Sequence, residues 1–396
     1  MGKRTLGIFG IIIVCLAAGS YLITKTISEG ATGESEENTE VDSNKSSNDN
    51  GEENDSTSKD QGEVLQDLMD ESKQFPEDYV TAGEECKAIE DTLERGDCFQ
   101  DTNKNHLDWY MNTEKEDFYF SYQHNQDQWN NVFYYSIDED DELDTLYETD
   151  YFNTYMDDLD SNDIQLNHIK DTVNENWYVF SGIIPKEYRQ DLKYVYLTDT
   201  GKDFVFAVGR HEDEPSDQTF MFSHNMTEYI PYYKSTFIHE FGHVLTLNEQ
   251  QVDIDEDAYS SENEELHDKK EAACDTYYER GCMKENSYLY EYYLAFWEDI
   301  SDAYESIDWK DETDYTEFFY ENEDRFMNSY QGTSPVEDIA DAFSQFVMSN
   351  SQDIEKHDEL KYDKLRFFYD YEELVELRTD ILENLYDLSV TDEILY

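Results

Sequence analysis

Residues Ser235–Gln251 read STFIHEFGHVLTLNEQQ. Two histidines, His239 and His243, stand four apart, and Glu240 directly follows the first. Apolar residues recur at helical spacing, Pro231 lies upstream, and Ser235 or Thr236 can cap, so the stretch is predicted to be a helix. Positions i and i+4 share a helix face, so both imidazoles can reach one ion, with Glu240 one position off that face. This H-E-x-x-H arrangement is suited to metal-assisted hydrolysis. Zinc lowers the pKa of bound water toward ~7, and a carboxylate beside it serves as general base and later as proton donor to the leaving amine. The bland reading is a core helix with satisfied histidines. Charge weighs against it: charged residues make up 31% of the chain, yet Glu240 is the only Asp, Glu, Lys or Arg from Ser235 to Asn248. So quiet a window is predicted to be buried, and a buried glutamate between two histidines needs a partner.

Two histidines do not close a catalytic zinc site, which takes three protein ligands and a water. Three candidates for the third ligand stand in the sequence. Glu249 is the nearest, but the extended pattern H-E-x-x-H-x-x-G-x-x-H fails here, because Thr246 and Glu249 occupy the Gly and final His positions. Glu264 with Asp268, in NEELHD, fits the N-E-x-x-x-D spacing of thermolysin-like peptidases, within a strongly acidic tract. Farther on, residues 328–347 read NSYQGTSPVEDIADAFSQFV. Here Glu337, Asp338 and Asp341 open an otherwise apolar helix, with Thr333 or Ser334 as cap and Pro335 in its first turn. Such acids also favour a helix N-terminus without any ligand. Glu337 and Asp341 share a face, however, and suit one metal ligand and one carboxylate behind a ligand.

The pairing of FIHEFGH with SYQGTSPVEDIADAF resembles the catalytic domain of anthrax lethal factor and related bacterial zincins. The chain is also similar to uncharacterised secreted zinc-binding peptidase-like proteins of Gram-positive bacteria. The motif likeness covers roughly residues 234–248 and 328–347. It implies a gluzincin-type site in which His239, His243 and Glu337 bind Zn2+, Glu240 is the general base, and Asp341 supports a ligand. Tyr330, seven residues before Glu337, would polarise the substrate carbonyl and stabilise the oxyanion. Asp341 stands where the family has Glu. The toxin's partner-binding and specificity regions have no visible counterpart, so its substrate does not carry over. By the same likeness, TFMFSHN (219–225) would be the strand along the cleft that pairs with extended substrate.

The rest of the chain sets the context. Its 396 residues hold 96 Asp plus Glu against 28 Lys plus Arg, a formal net charge of −68. That balance excludes nucleic acid as a partner, and 33 Tyr, 22 Phe and 5 Trp imply a real core beneath the acidic skin. So acidic a surface repels itself unless salt screens it, which points to a halophilic or alkaline exterior. Lys3 and Arg4 precede an apolar run from Leu6 to Ile23, so residues 1–26 are expected to be a signal peptide or signal-anchor, leaving the protein secreted or membrane-anchored. Residues 27–63 lack aromatics and are expected to be a disordered acidic linker. Residues 64–396 form the expected zincin-like domain.

Its class is predicted to be α+β, a small strand-containing N-terminal part followed by a mainly helical C-terminal part. Strands are expected at 177–184, 193–199, 204–210 and 219–225. Helices are expected at 234–248, 284–306, 313–330, 336–349 and in the C-terminal stretch. Outside the cell, Cys86, Cys98, Cys274 and Cys282 invite two disulfides; three pairings are open, and local pairing is expected. The functional expectation is an extracytoplasmic zinc peptidase acting on a peptide or protein. The alternative is a non-catalytic cell-surface or envelope module on a zincin-like scaffold.

Overall fold

The computed structural model describes residues 12–15, 76–107, 109, 111, 129–161, 166–201, 205–211, 214–223, 233–259, 264–274, 276–278, 281–309 and 311–392. The expected linker, and all of the expected signal or anchor except 12–15, lie outside the described residues. Among the described residues no helix is long and apolar enough to cross a membrane.

The fold is α+β, with strands early and helices late. Helices α1 (Glu77–Lys87) and α2 (Thr92–His106) lead into a six-stranded sheet. Its strands are β1 (Ile12–Cys15), β2 (Asn130–Ile137), β3 (Leu143–Glu148), β4 (Leu192–Asp199), β5 (Val205–Arg210) and β6 (Gln218–Ser223), ordered β1-β5-β6-β4-β2-β3. Only β4 and β6 pair in parallel. The expected cleft-edge strand at 219–225 is corrected by this order. β6 lies between β5 and β4 with all six residues buried, as an inner strand covered on both faces should be. The strand beside the histidine helix is β5, and β1, from the apolar N-terminal run, lies antiparallel on its outer edge with Ile12 opposite Val208.

The expected strand at 177–184 is the second correction. WYVFSGII is the C-terminal end of a helix, α4 (Leu166–Ile183), which follows α3 (Phe152–Ser161). Aromatic and β-branched residues suggested a strand, but Ile169, Val173, Trp177 and Phe180 repeat at three- and four-residue spacing and all face the core. Burial of that stripe outweighs local propensity, and Pro185 follows the helix end.

One sheet face is closed by α4 and the predicted histidine helix, α5 (Tyr233–Leu247), through aromatic packing. Phe180 stacks against Phe220 at 4.4 Å between ring centroids, and Phe237 meets Phe206 at 4.8 Å. Rings at these tilted and edge-on distances add to the apolar area they bury. After α5 come β7 (Val252–Ile254), α6 (Glu256–Tyr259), α7 (Glu264–Glu271), β8 (Tyr277–Tyr278) and β9 (Gly281–Met283), the strands forming a small separate sheet. The helical part continues with α8 (Tyr288–Phe296), α9 (Ser301–Glu305), α10 (Glu312–Glu321), α11 (Pro335–Met348), α12 (Ser351–Ile354), α13 (Leu360–Tyr369) and α14 (Glu372–Asp392). Helix α11 packs on α5, and α14 packs on α2 and α4. The C-terminal helix thereby ties the first described helices to the sheet layer.

The cysteines pair locally. Cys86 and Cys98 link α1 to α2, and Cys274 and Cys282 tie the loop after α7 to β9, with Cα–Cα distances of 5.5 and 6.2 Å. Such pairs are consistent with an extracytoplasmic location.

Candidate metal centre

The uncharged window is a buried helix: every residue of α5 except Ser235 is buried. So is every residue of α11. Gly242 sets their spacing. A Cβ placed there would lie 2.9 Å from the Ala340 Cα and 3.1 Å from its Cβ, so a side chain would force the helices apart. The start of α11 is fixed by its cap. Ser334 accepts a hydrogen bond from the Glu337 N–H at 3.1 Å, and Pro335 occupies the first turn. Cap and close approach together place Glu337 opposite the histidine face.

Three donor atoms meet there. His239 Nε2 and His243 Nε2 are 3.1 Å apart, and Glu337 Oε2 lies 3.3 Å from the first and 3.2 Å from the second. The three residues could hold a metal ion. Tetrahedral ligands about 2.0–2.1 Å from zinc stand roughly 3.3 Å from one another, so the spacing of this triangle suits such an ion and leaves a fourth position open.

The electrostatics follow from burial without a fixed cation. Burial alone would lower the His239 pKa, but contacts with Asp341 and Glu337 outweigh it and push it up to about 10. Burial would raise Glu337, but the charges and hydrogen bonds of His243 and His239 hold it down to about 2. His243 is lowered, chiefly by burial. Glu240 is fully buried, and desolvation raises its pKa well above the carboxylate range. Among the described residues no side chain hydrogen-bonds to either of its carboxylate oxygens, and the backbone at Val208 offsets burial only in part; His243 Nδ1 has no hydrogen-bond partner there either. The charge of His239 eases the cost of burial without cancelling it, so an ionised Glu240 would gain from further positive charge beside it.

The remaining predicted residues surround the triangle. Asp341 Oδ1 lies 3.6 Å from His239 Nδ1, the ring atom facing away from the triangle. Tyr330 is half-buried, its ring centroid 6.0 Å from that of His239. A short 3₁₀ turn holds it, with the Thr333 N–H and hydroxyl both donating to its carbonyl, at 3.1 and 2.7 Å. The other third-ligand candidates fare differently. Glu249 is exposed and outside the triangle. Glu264 begins α7, but its side chain and that of Asp268 lie outside the described residues.

Several residues of the centre carried no functional reading in the sequence. Gly242 passed only as an uncharged position within the motif. Asn328, Gln331 and Gln345 escaped notice, although all three donate to Asp341. Their sequence signal is faint: three uncharged amides near one acid in a chain dominated by charge. No protein-family model, curated protein or solved structure matches this chain.

Proposed function

We propose that the protein is an extracytoplasmic zinc-dependent peptidase of zincin-like fold. The observation that carries this reading is the donor triangle of His239, His243 and Glu337 beside the fully buried carboxylate of Glu240, to which no side chain hydrogen-bonds among the described residues. His239, His243 and Glu337 would hold the ion. Bound zinc supplies Lewis acidity and a nucleophile at neutral pH. Glu240 takes the proton of the attacking water and returns it to the departing amine, so the proton stays within the site. Tyr330 donates its phenolic hydrogen to the carbonyl oxygen as negative charge develops there. Asp341 orients His239 from behind. The strongly acidic exterior fits a secreted or surface-tethered enzyme working in salt.

The test is the Glu240→Gln variant of the zinc-loaded protein, assayed on casein in high salt. Cleavage is expected to fall by at least about 100-fold, with metal content unchanged. Cleavage at the parental rate would show that Glu240 is not the base and overturn the peptidase reading.

A further inference from the structure

Asp341 is held in an unusual way. Its Oδ2 accepts three hydrogen bonds from neutral amides: Asn328 Nδ2 at 2.9 Å, Gln331 Nε2 at 2.8 Å and Gln345 Nε2 at 2.8 Å. All four side chains are buried. Three donors on one oxygen leave Oδ1 as the atom turned to His239 Nδ1. The amides are themselves cross-braced. The Gln331 N–H donates to Asn328 Oδ1 at 3.0 Å, and Gln331 Oε1 accepts from the Met327 N–H at 2.6 Å. Two of the three flank Tyr330 in sequence, and the third sits one helical turn beyond Asp341 on α11.

We propose that Asn328, Gln331 and Gln345 form a cradle that fixes the carboxylate plane of Asp341, and through it the ring of His239, so setting the metal affinity of the site. The inference rests on the metal-site reading above and deepens it. The physical reason is rotational. A carboxylate with one free oxygen can swing about its terminal torsion, and a histidine behind which it swings loses its fixed orientation. Amides suit the task because each donates without adding charge, so Asp341 stays an acceptor toward the histidine. A lysine in their place would neutralise it. The braced loop also carries Tyr330, so the same cradle sets where the phenol stands relative to the metal ligands. The amides touch no reacting atom and are positioning residues.

The experiment uses metal-stripped full-length protein. Zinc affinity is read by competition with a chromophoric chelator, and site geometry by the visible spectrum of the Co2+ form. Gln345→Met removes one donor at nearly constant volume. Asn328→Asp keeps the acceptor for Gln331 but sets a carboxylate against Asp341. Thermal unfolding of the metal-free forms reports folding, and if one variant does not fold the other decides. The expected result is zinc binding weakened by about 10-fold or more, as for other residues that support metal ligands, with a shifted Co2+ spectrum. A folded variant with parental zinc affinity and an unchanged spectrum overturns the cradle while leaving the metal site standing. A parent protein that takes up neither ion overturns both.

Discussion

Glu337 and Asp338 are consecutive residues of α11, both buried, and they meet opposite fates. Asp338 Oδ2 accepts from Lys364 Nζ at 2.6 Å and from Trp297 Nε1 at 2.8 Å, while Lys364 Nζ sits 4.1 Å from the centre of the Phe326 ring. The chain neutralises that charge itself. Glu337, one residue earlier, meets two imidazoles; the Glu240 carboxylate feels its charge, and Asp341 approaches the far side of His239. Among the described residues none of those three acids forms an ion pair with a lysine or arginine. One side of the helix carries an acid matched by a buried lysine, and the other carries acids and lone pairs that converge on a position for a cation. The contrast separates two kinds of buried charge: Asp338 is matched by a lysine, whereas Glu337 is matched only by imidazoles, which are also metal-ligating groups.

Paired substitutions are the sharpest way to break this comparison. Lys364→Met strands a buried carboxylate and is expected to lower unfolding free energy by about 3–5 kcal/mol, measured by urea titration. Glu337→Gln is expected to leave a folded protein that has lost metal retention by more than about 100-fold, since even supporting residues account for about 10–100-fold. Equal behaviour of the two variants would erase the distinction. Next in size is Gly242→Ala. The added methyl meets α11 backbone, so it is expected to cost about 1–3 kcal/mol and to weaken zinc binding together with stability. Loss of stability with unchanged zinc affinity would show that helix spacing does not set the site.

The last comparison is read from pH, in the metal-free protein. His239, raised to about 10, contributes stability that is whole below about 6.5 and lost as pH rises toward 10. Glu337, lowered to about 2, contributes stability present above its ordinary carboxylate value and lost as pH falls toward 2. Glu240, raised by burial, makes no demand on the fold below its ordinary carboxylate value, and costs stability progressively as pH rises above that value toward its raised pKa. Metal must displace the His239 proton, so zinc affinity is expected to rise about tenfold per pH unit between about 7 and 9. Calorimetry in buffers of different ionisation enthalpy checks the released proton, and a flat profile would remove His239 from the ligand set.

The sequence by itself determined what a short stretch can encode. The H-E-x-x-H spacing on an uncharged helix, the capped acidic start of α11 and the local cysteine pairs all depend on neighbours within a few turns. The strand-then-helix class followed from local patterns in the same way. Where the local pattern was ambiguous the reading failed: WYVFSGII carries strand propensity, and only the apolar stripe of the whole of α4, pressed on the sheet, makes it helix. Local sequence left three acids open as the third ligand and only the family likeness pointed to Glu337; the tertiary structure brings Glu337 to the histidines through the Gly242–Ala340 approach, across almost a hundred residues of chain. It also decided that β6 is an inner strand and that three amides converge on Asp341. Side-chain spacing fixes which residues share a helix face, but which faces meet depends on packing the whole chain into one core.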